Sequence, residues 1–263
     1  MPSLRAAVEK TQVAGVVTQP DRPAGRGHKL TPSPVKSAAL ELGLRVYEPL
    51  RLKAFAHELA ERFDLFALAS YGRILPQTLL EIPRLGALNV HPSLLPKYRG
   101  ATPIQTALRN GDRETGVTIM LMDAGLDTGD VVLQRRVAIE RDESYGELHD
   151  RLARLGATLL GEAFDLAETG VLPAQPQQGE ASLTQPIRKE ELEIDWSWPA
   201  ARIVDFVRAY SPQPAARATL HGERVKVLRA HVAPDGAVEI DQLVAPNRGT
   251  MSGRAYEAGR RNT

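Results

Sequence analysis

The sequence predicts an α/β chain: a mostly parallel sheet flanked by helices, followed by a second, smaller β-rich domain. Three observations predict it. Short apolar runs alternate with helix-patterned stretches as far as residue 168. A Pro/Gln/Gly-rich break begins at Leu172. Beyond that break come one helix and then several strand-like runs.

Taken in order, Leu4 to Lys10 reads as the end of a helix and Val13 to Thr18 as an apolar strand. Ser33-Pro34 is a helix entry, because proline at the first helical position gives up an N–H that has no partner there, and residues 34–42 carry the helical pattern. A short strand near Leu44 to Tyr47, a helix over 52–62 and a buried-type strand from Leu65 to Ser70 follow. Ala87 to Val90 is another strand, Pro103 to Arg109 starts a helix, and Val117 to Met122 and Val131 to Ile139 are strands. Tyr145 to Glu168 has the 3.6-residue apolar periodicity of a long amphipathic helix. After the break, Ala200 to Tyr210 is helical, and 216–220, 224–232 and 237–244 are strand-like. The tail from Arg248 is rich in Gly and Arg, and no internal repeat is present. This divides the chain into a first domain over 1–171, a linker over 172–188 and a second domain over 189–263.

Composition narrows the class. Of 263 residues, 43% are hydrophobic and 25% charged, as in ordinary globular chains. There is no cysteine, which removes disulfides, thiolate metal sites and a Cys nucleophile. No apolar run reaches the length of a membrane span, and Met1-Pro2-Ser3-Leu4-Arg5 lacks the apolar centre of a signal peptide, so a cytoplasmic protein with no membrane partner is expected. The net charge is only +1, yet cations cluster. Arg22, Arg26, Lys29 and Lys36 face Asp21 alone within 19–36, and six Arg/Lys stand against Asp205 and Glu223 within 201–231. Such patches on a near-neutral chain fit an anionic partner held at defined places, or else a pair of solvated faces.

The chemistry gathers between residues 89 and 130. Asn89 and His91 stand at the end of a predicted strand, where ligands of parallel sheets bind, and side chains at i and i+2 project to one side. Asp127 lies in a Gly-rich run between two predicted strands. Singly, each has a plainer reading: a turn asparagine, a structural histidine, an Asp-Thr-Gly turn. Together they suit acyl transfer to an external amine, with two donors on an oxyanion and a carboxylate that orients the histidine and favours its charged form.

The stretch from Asn89 to Gly100 (Asn-Val-His-Pro-Ser-Leu-Leu-Pro-Lys-Tyr-Arg-Gly), with Thr102-Pro103-Ile104-Gln105 after it, resembles the signature of the folate-dependent formyltransferase family. Gly116 to Met120 and Met122 to Asp130 continue the likeness. Gln19 to Gly27 and Thr31 to Lys36 are similar to the family's methionyl-tRNA branch. The resemblance spans most of 2–211 and thins toward the end. It implies a Rossmann-like sheet and a C-terminal domain of OB-like, tRNA-binding type. It implies formyl transfer by Asn89, His91 and Asp127, contact with tetrahydrofolate by Ser93, Leu94, Leu95 and Pro96, and engagement of tRNA by Arg22, Arg26 and Lys29. The donor is then 10-formyltetrahydrofolate and the acceptor the α-amine of initiator methionyl-tRNA, with no metal or nicotinamide and a monomer expected.

Two departures accompany the resemblance. Family members open with a strand and a Gly-rich turn before the helix that matches Pro2-Ser3-Leu4, so a gap is expected in the sheet beside Val13 to Thr18. Only about three strands are legible in the last domain, too few to close a barrel. Two rival readings share these motifs: a formyltransferase acting on a nucleotide-linked amino sugar, and a non-catalytic homologue that binds tRNA or folate. The basic segments favour tRNA over the sugar, and the gap supports the non-catalytic reading.

Overall fold

A computed structural model describes residues 1–24, 29–59 and 63–259. Its elements run α1 (Pro2–Lys10), β1 (Val16–Val17), β2 (Arg22–Ala24), β3 (Lys29–Thr31), α2 (Pro34–Glu41), β4 (Val46–Tyr47), α3 (Leu52–Glu58), β5 (Phe66–Leu68) and α4 (Gln77–Leu80). They continue through β6 (Ala87–His91), β7 (Arg99–Gly100), α5 (Pro103–Arg109), β8 (Glu114–Leu121), β9 (Val131–Ala138), α6 (Tyr145–Ala167) and β10 (Leu183–Thr184). The last are α7 (Ala200–Tyr210), β11 (Ala216–Leu220), β12 (Glu223–Val232), β13 (Val238–Val244), β14 (Thr250–Ser252) and α8 (Gly253–Ala258).

Two compact units are present. One comprises Met1–Arg99, Gly116–Arg135 and Leu152–Ser182, the other Gly100–Thr115, Arg136–Arg151 and Leu183–Thr263. Among the described residues of the first unit, β2 and β3 form an antiparallel pair of their own, and the main sheet comes in two pieces, β1 with β4 and the order β5-β6-β8-β9. β1 pairs with β4 and β5 with β6 in parallel, whereas β8 runs antiparallel to β6. The sheet is therefore mixed where a mostly parallel one is expected, and it breaks beside β1.

Local chemistry explains the elements. Ser33 caps α2 by accepting the Lys36 N–H at 3.2 Å, a cap worth about 1 kcal/mol. Within the first unit, α6 turns Leu152, Leu159, Leu160, Ala163 and Phe164 inward at helical spacing. The helix expected over 52–62 ends at Glu58, where Leu59 turns extended (ψ 95°). The short helix α4 carries too few residues to show a periodicity in the sequence.

In the second unit, α7 buries Ile203, Phe206, Val207 and Tyr210 on one face. Trp198 meets Phe206 edge-on at 5.1 Å, Phe206 meets Tyr210 at 4.9 Å, and the Arg202 guanidinium lies 4.3 Å from the Trp198 ring centre. The sheet there has the order β11-β12-β13-β14, antiparallel at each pairing. The fourth strand corrects the expected three. Its three residues fall in the Gly/Arg-rich tail, too short for an alternating pattern to stand out. Ser252 then caps α8 by accepting the Ala255 N–H at 3.2 Å, and Gly253 seats against Ile240, where a Cβ would lie 1.9 Å from the carbonyl oxygen.

Candidate active site

Strand β6 positions the first two candidate residues. Leu68 of β5 pairs with Asn89, and on the other side Asn89 pairs with Met120 and His91 with Thr118 of β8. Gly156 of α6 lies so close to Val90 that a Cβ there would stand 2.6 Å from Val90 Cγ1. Val90 therefore faces the helix, and strand alternation turns Asn89 and His91 to the opposite face. His91 is 4% exposed and Asn89 half-buried. The loop after β8 brings Asp127 to the histidine, with Oδ2 3.5 Å from His91 Nδ1. His91 and Asp127 thus meet, and Asn89 projects from the same face of β6.

The tautomer of His91 follows from its partners. Nε2 stands 2.9 Å from the Tyr98 carbonyl oxygen, which can only accept, so Nε2 carries the proton. Nδ1 of the neutral ring is then a bare acceptor facing Asp127. Burial pushes the His91 pKa down, against the Asp127 charge and the Tyr98 carbonyl, which push it up. This corrects the expectation of a charged His91: the desolvation of a nearly inaccessible ring outweighs one carboxylate at 3.5 Å, and the resting imidazole is neutral. With the folded pKa below the unfolded value of 6.5, the unfolded chain holds a proton that the folded one lacks. This contribution to stability is complete above about pH 6.5 and is lost as pH falls from there toward the folded value. Denaturant unfolding at a series of pH values below 7 should show stability rising with pH, and His91→Gln should flatten that rise. An identical slope in the variant would rule the assignment out.

The loop after β6 is tied down by polar groups. Thr118 Oγ1 donates to the Ser93 carbonyl at 2.7 Å and accepts the Leu95 N–H at 3.2 Å. Gln134 Nε2 donates to Thr118 Oγ1 at 2.9 Å and to the Leu95 carbonyl at 3.0 Å. Ser93 Oγ donates to the Lys97 carbonyl at 2.5 Å. Ser93, Leu95 and Pro96 are buried, and only Leu94 of the four is partly exposed. The Asp127 loop is held as tightly. Asp123 accepts the Gly125 N–H at 3.0 Å and the Thr128 hydroxyl at 2.7 Å, and Gly129 leaves no room for a Cβ, which would lie 1.8 Å from the Leu121 oxygen.

Residues 2–164 match the family described as formyl transferase, and residues 186–239 match that described as formyl transferase, C-terminal domain. The chain belongs to the formyl transferase family. This formyl transferase is 45% identical over 259 residues to the methionyl-tRNA formyltransferase of Pelotomaculum thermopropionicum, a match covering 95% of this chain and 82% of that one. It is 46% identical over 254 residues to the methionyl-tRNA formyltransferase of Xanthomonas campestris pv. campestris, covering 95% and 80%. Among solved structures, methionyl-tRNA formyltransferase from Clostridium thermocellum shares the fold with a TM-score of 0.62 at 18% identity, covering 90% of this chain and all of that one.

Four residues around the candidate site escape a reading of the sequence: Tyr98, Thr118, Gln134 and Gln177. Tyr98 acts through its carbonyl, which leaves no trace in residue type. Thr118 and Gln134 carried a signal, as polar positions inside strands. Gln177 lies in the stretch expected as a linker over 172–188, whose part as far as Ser182 belongs to the first unit. Gln175 and Val131 exchange backbone hydrogen bonds at 2.8 and 3.0 Å, and Ser182 accepts the Tyr98 and Arg99 N–H groups through Oγ (2.9 Å) and its carbonyl (2.8 Å). Beside it a cavity of about 510 Å³ is lined by Leu95, Val131, Leu133, Gln134, Gln175 and Gln177 among others. Of the expected tRNA contacts, Arg22 is exposed and donates to Gln19 Oε1, Lys29 opens β3, and Arg26 lies outside the described residues. No helix among the described residues is long and apolar enough to cross a membrane, and no cluster of metal-ligating side chains occurs among them.

Proposed function

We propose that this formyl transferase moves a formyl group from 10-formyltetrahydrofolate to the α-amino group of initiator methionyl-tRNA. The observation that carries the reading is the buried His91, with Nε2–H spent on the Tyr98 carbonyl and Nδ1 turned to Asp127. The identity of 45–46% with methionyl-tRNA formyltransferases over 95% of the chain supports the acceptor.

In this reading the neutral α-amine attacks the formyl carbon and the new C–N bond forms. The carbonyl oxygen becomes an oxyanion, which the Asn89 amide stabilises as a donor aimed where charge develops. The amine's proton passes to His91 Nδ1. The resulting imidazolium sits between two acceptors, Tyr98 O and the Asp127 carboxylate, so the charge that burial disfavours at rest is favoured as it forms. The same proton then goes to the departing nitrogen of tetrahydrofolate as the old C–N bond breaks. Contact with the folate belongs to the Ser93–Pro96 loop, where burial of three side chains leaves main chain and Leu94 for the task. The Arg22–Lys29 segment and the C-terminal domain, residues 189–263, take the tRNA. In this reading the protein works in the cytoplasm.

The test supplies labelled 10-formyltetrahydrofolate with either methionyl-tRNA or a nucleotide-linked amino sugar. Formylation of the first alone is expected, and formylation of the sugar alone would replace this reading. Arg22→Ala combined with Arg26→Ala should weaken tRNA use while sparing the folate KM. Each lost phosphate contact should also flatten the dependence of log affinity on log salt by roughly 0.9. The wild-type advantage therefore narrows as salt rises. Equal salt slopes would remove these arginines from the tRNA surface.

A further inference from the structure

We propose that Gln177 is a positioning residue for the reaction, holding the turn that aims Asp127 at His91; this rests on the formyl-transfer reading above. One side-chain amide makes four contacts here. Gln177 Nε2 donates to the carbonyls of Asp127 and Gly129, both at 2.8 Å. Its Oε1 accepts from Arg99 Nε at 3.0 Å and Nη2 at 2.7 Å. The bonding capacity of the amide is thereby filled, and the guanidinium polarises it toward stronger donation to the loop.

The turn it grips requires a grip. Asp127 has φ +52°, in the left-handed region that non-glycine residues rarely occupy and that persists only where surroundings over-determine it. Within the loop, Asp123 anchors the Gly125 N–H ahead of Asp127 and the Thr128 hydroxyl just after it. Gln177, fifty residues further along the chain, fixes the 127–128 and 129–130 peptide planes, which bracket Thr128 and Gly129. With both carbonyls turned to Gln177, the loop keeps the Asp127 side chain toward the histidine ring, 3.5 Å away. Without the amide, the two carbonyls lose their shared donor and Asp127 can leave the left-handed region. The carboxylate then drifts from the ring whose charge it must favour. None of these four hydrogen bonds goes to His91, so the role of Gln177 runs through Asp127.

Three variants test this: Gln177→Ala, Gln177→Glu and, as an exposed neighbour, Gln178→Ala. The glutamate keeps the length and the pairing with Arg99 but turns acceptors toward two carbonyls. Gln177→Ala should lower kcat roughly ten- to a hundredfold, the scale of a reacting group displaced by about an ångström. The folate KM should stay within about twofold, since the loss falls on the transition state. Gln177→Glu should do at least as much damage and Gln178→Ala none. The second readout is the NMR titration of His91, which needs no turnover. A loosened Asp127 no longer raises the ring's pKa, so the midpoint should move down in Gln177→Ala. The acid limb of the kcat profile should follow it. A lowered melting temperature with unchanged kcat per folded molecule and an unchanged His91 midpoint would make Gln177 a structural staple and overturn the proposal. Wild-type enzyme that fails to formylate methionyl-tRNA would overturn the functional reading, while the titration still decides the link from Gln177 to Asp127 and His91.

Discussion

Asp127→Asn is expected to lower kcat for formyl transfer by roughly a hundredfold to a thousandfold, the scale of removing one preorganised electrostatic group. The substitution is nearly isosteric, so the loop's own bonds survive: the Asp123 contacts with Gly125 and Thr128, and the Gln177 bonds to the main chain at 127 and 129. What disappears is the negative charge 3.5 Å from Nδ1. Burial then acts on His91 unopposed except by the Tyr98 carbonyl, and the ring resists the proton that the attacking amine must shed. The interaction is stronger in the transition state than at rest, so the folate KM should hardly move. Steady-state kinetics with methionyl-tRNA settle the point. An unchanged kcat, or a loss confined to KM, removes Asp127 from the chemistry.

The second large effect is expected at a residue with no functional group. In Gly129→Ala the new methyl would stand 1.8 Å from the Leu121 oxygen and 3.3 Å from the Asp123 nitrogen. Both obstacles are backbone, so no side chain can swing away and the loop must move as a body. Overpacking of this kind costs about 1–3 kcal/mol. An ångström of displacement at Asp127 is expected to take kcat down by about a hundredfold. Melting temperature and kcat measured together check this. The negative control is Gly249→Ala, where nothing lies within 4 Å of the added carbon and the backbone is not in the left-handed region. Wild-type kcat in Gly129→Ala would mean that the loop is slack and that its glycine is incidental.

These two positions also mark how far the sequence carries. Asn89 and His91 were legible as types at a strand end and Asp127 as one in a Gly-rich run between strands, and the long helix α6 was legible from its periodicity, because these signals reside in residue identity. The His91–Tyr98 contact was not, because a carbonyl is common to every residue and only the φ of +62° at Tyr98 places that one. Gln177 was hidden for another reason. Composition reads its Pro/Gln-rich neighbourhood as a spacer, and nothing in a glutamine announces that its amide closes on a loop fifty residues earlier. The protonation of His91 was misjudged from sequence, since proximity of a carboxylate is visible in a motif whereas desolvation needs the packed surroundings. β14 and α8 were missed as elements too short for their pattern to rise above a tail rich in Gly and Arg.

The placement of aromatic residues sets what spectroscopy can see. Both tryptophans, Trp196 and Trp198, belong to the second compact unit, Trp198 stacked in the α7 cluster and Trp196 open to solvent. Intrinsic tryptophan emission therefore reports the melting of that unit alone, while the unit that carries Asn89, His91 and Asp127 is dark at this wavelength. Loss of the emission shift and loss of far-ultraviolet ellipticity are two separate clocks on one chain. Where they part company during denaturation, the two units unfold in separate steps. Where they coincide, the chain melts as one cooperative body.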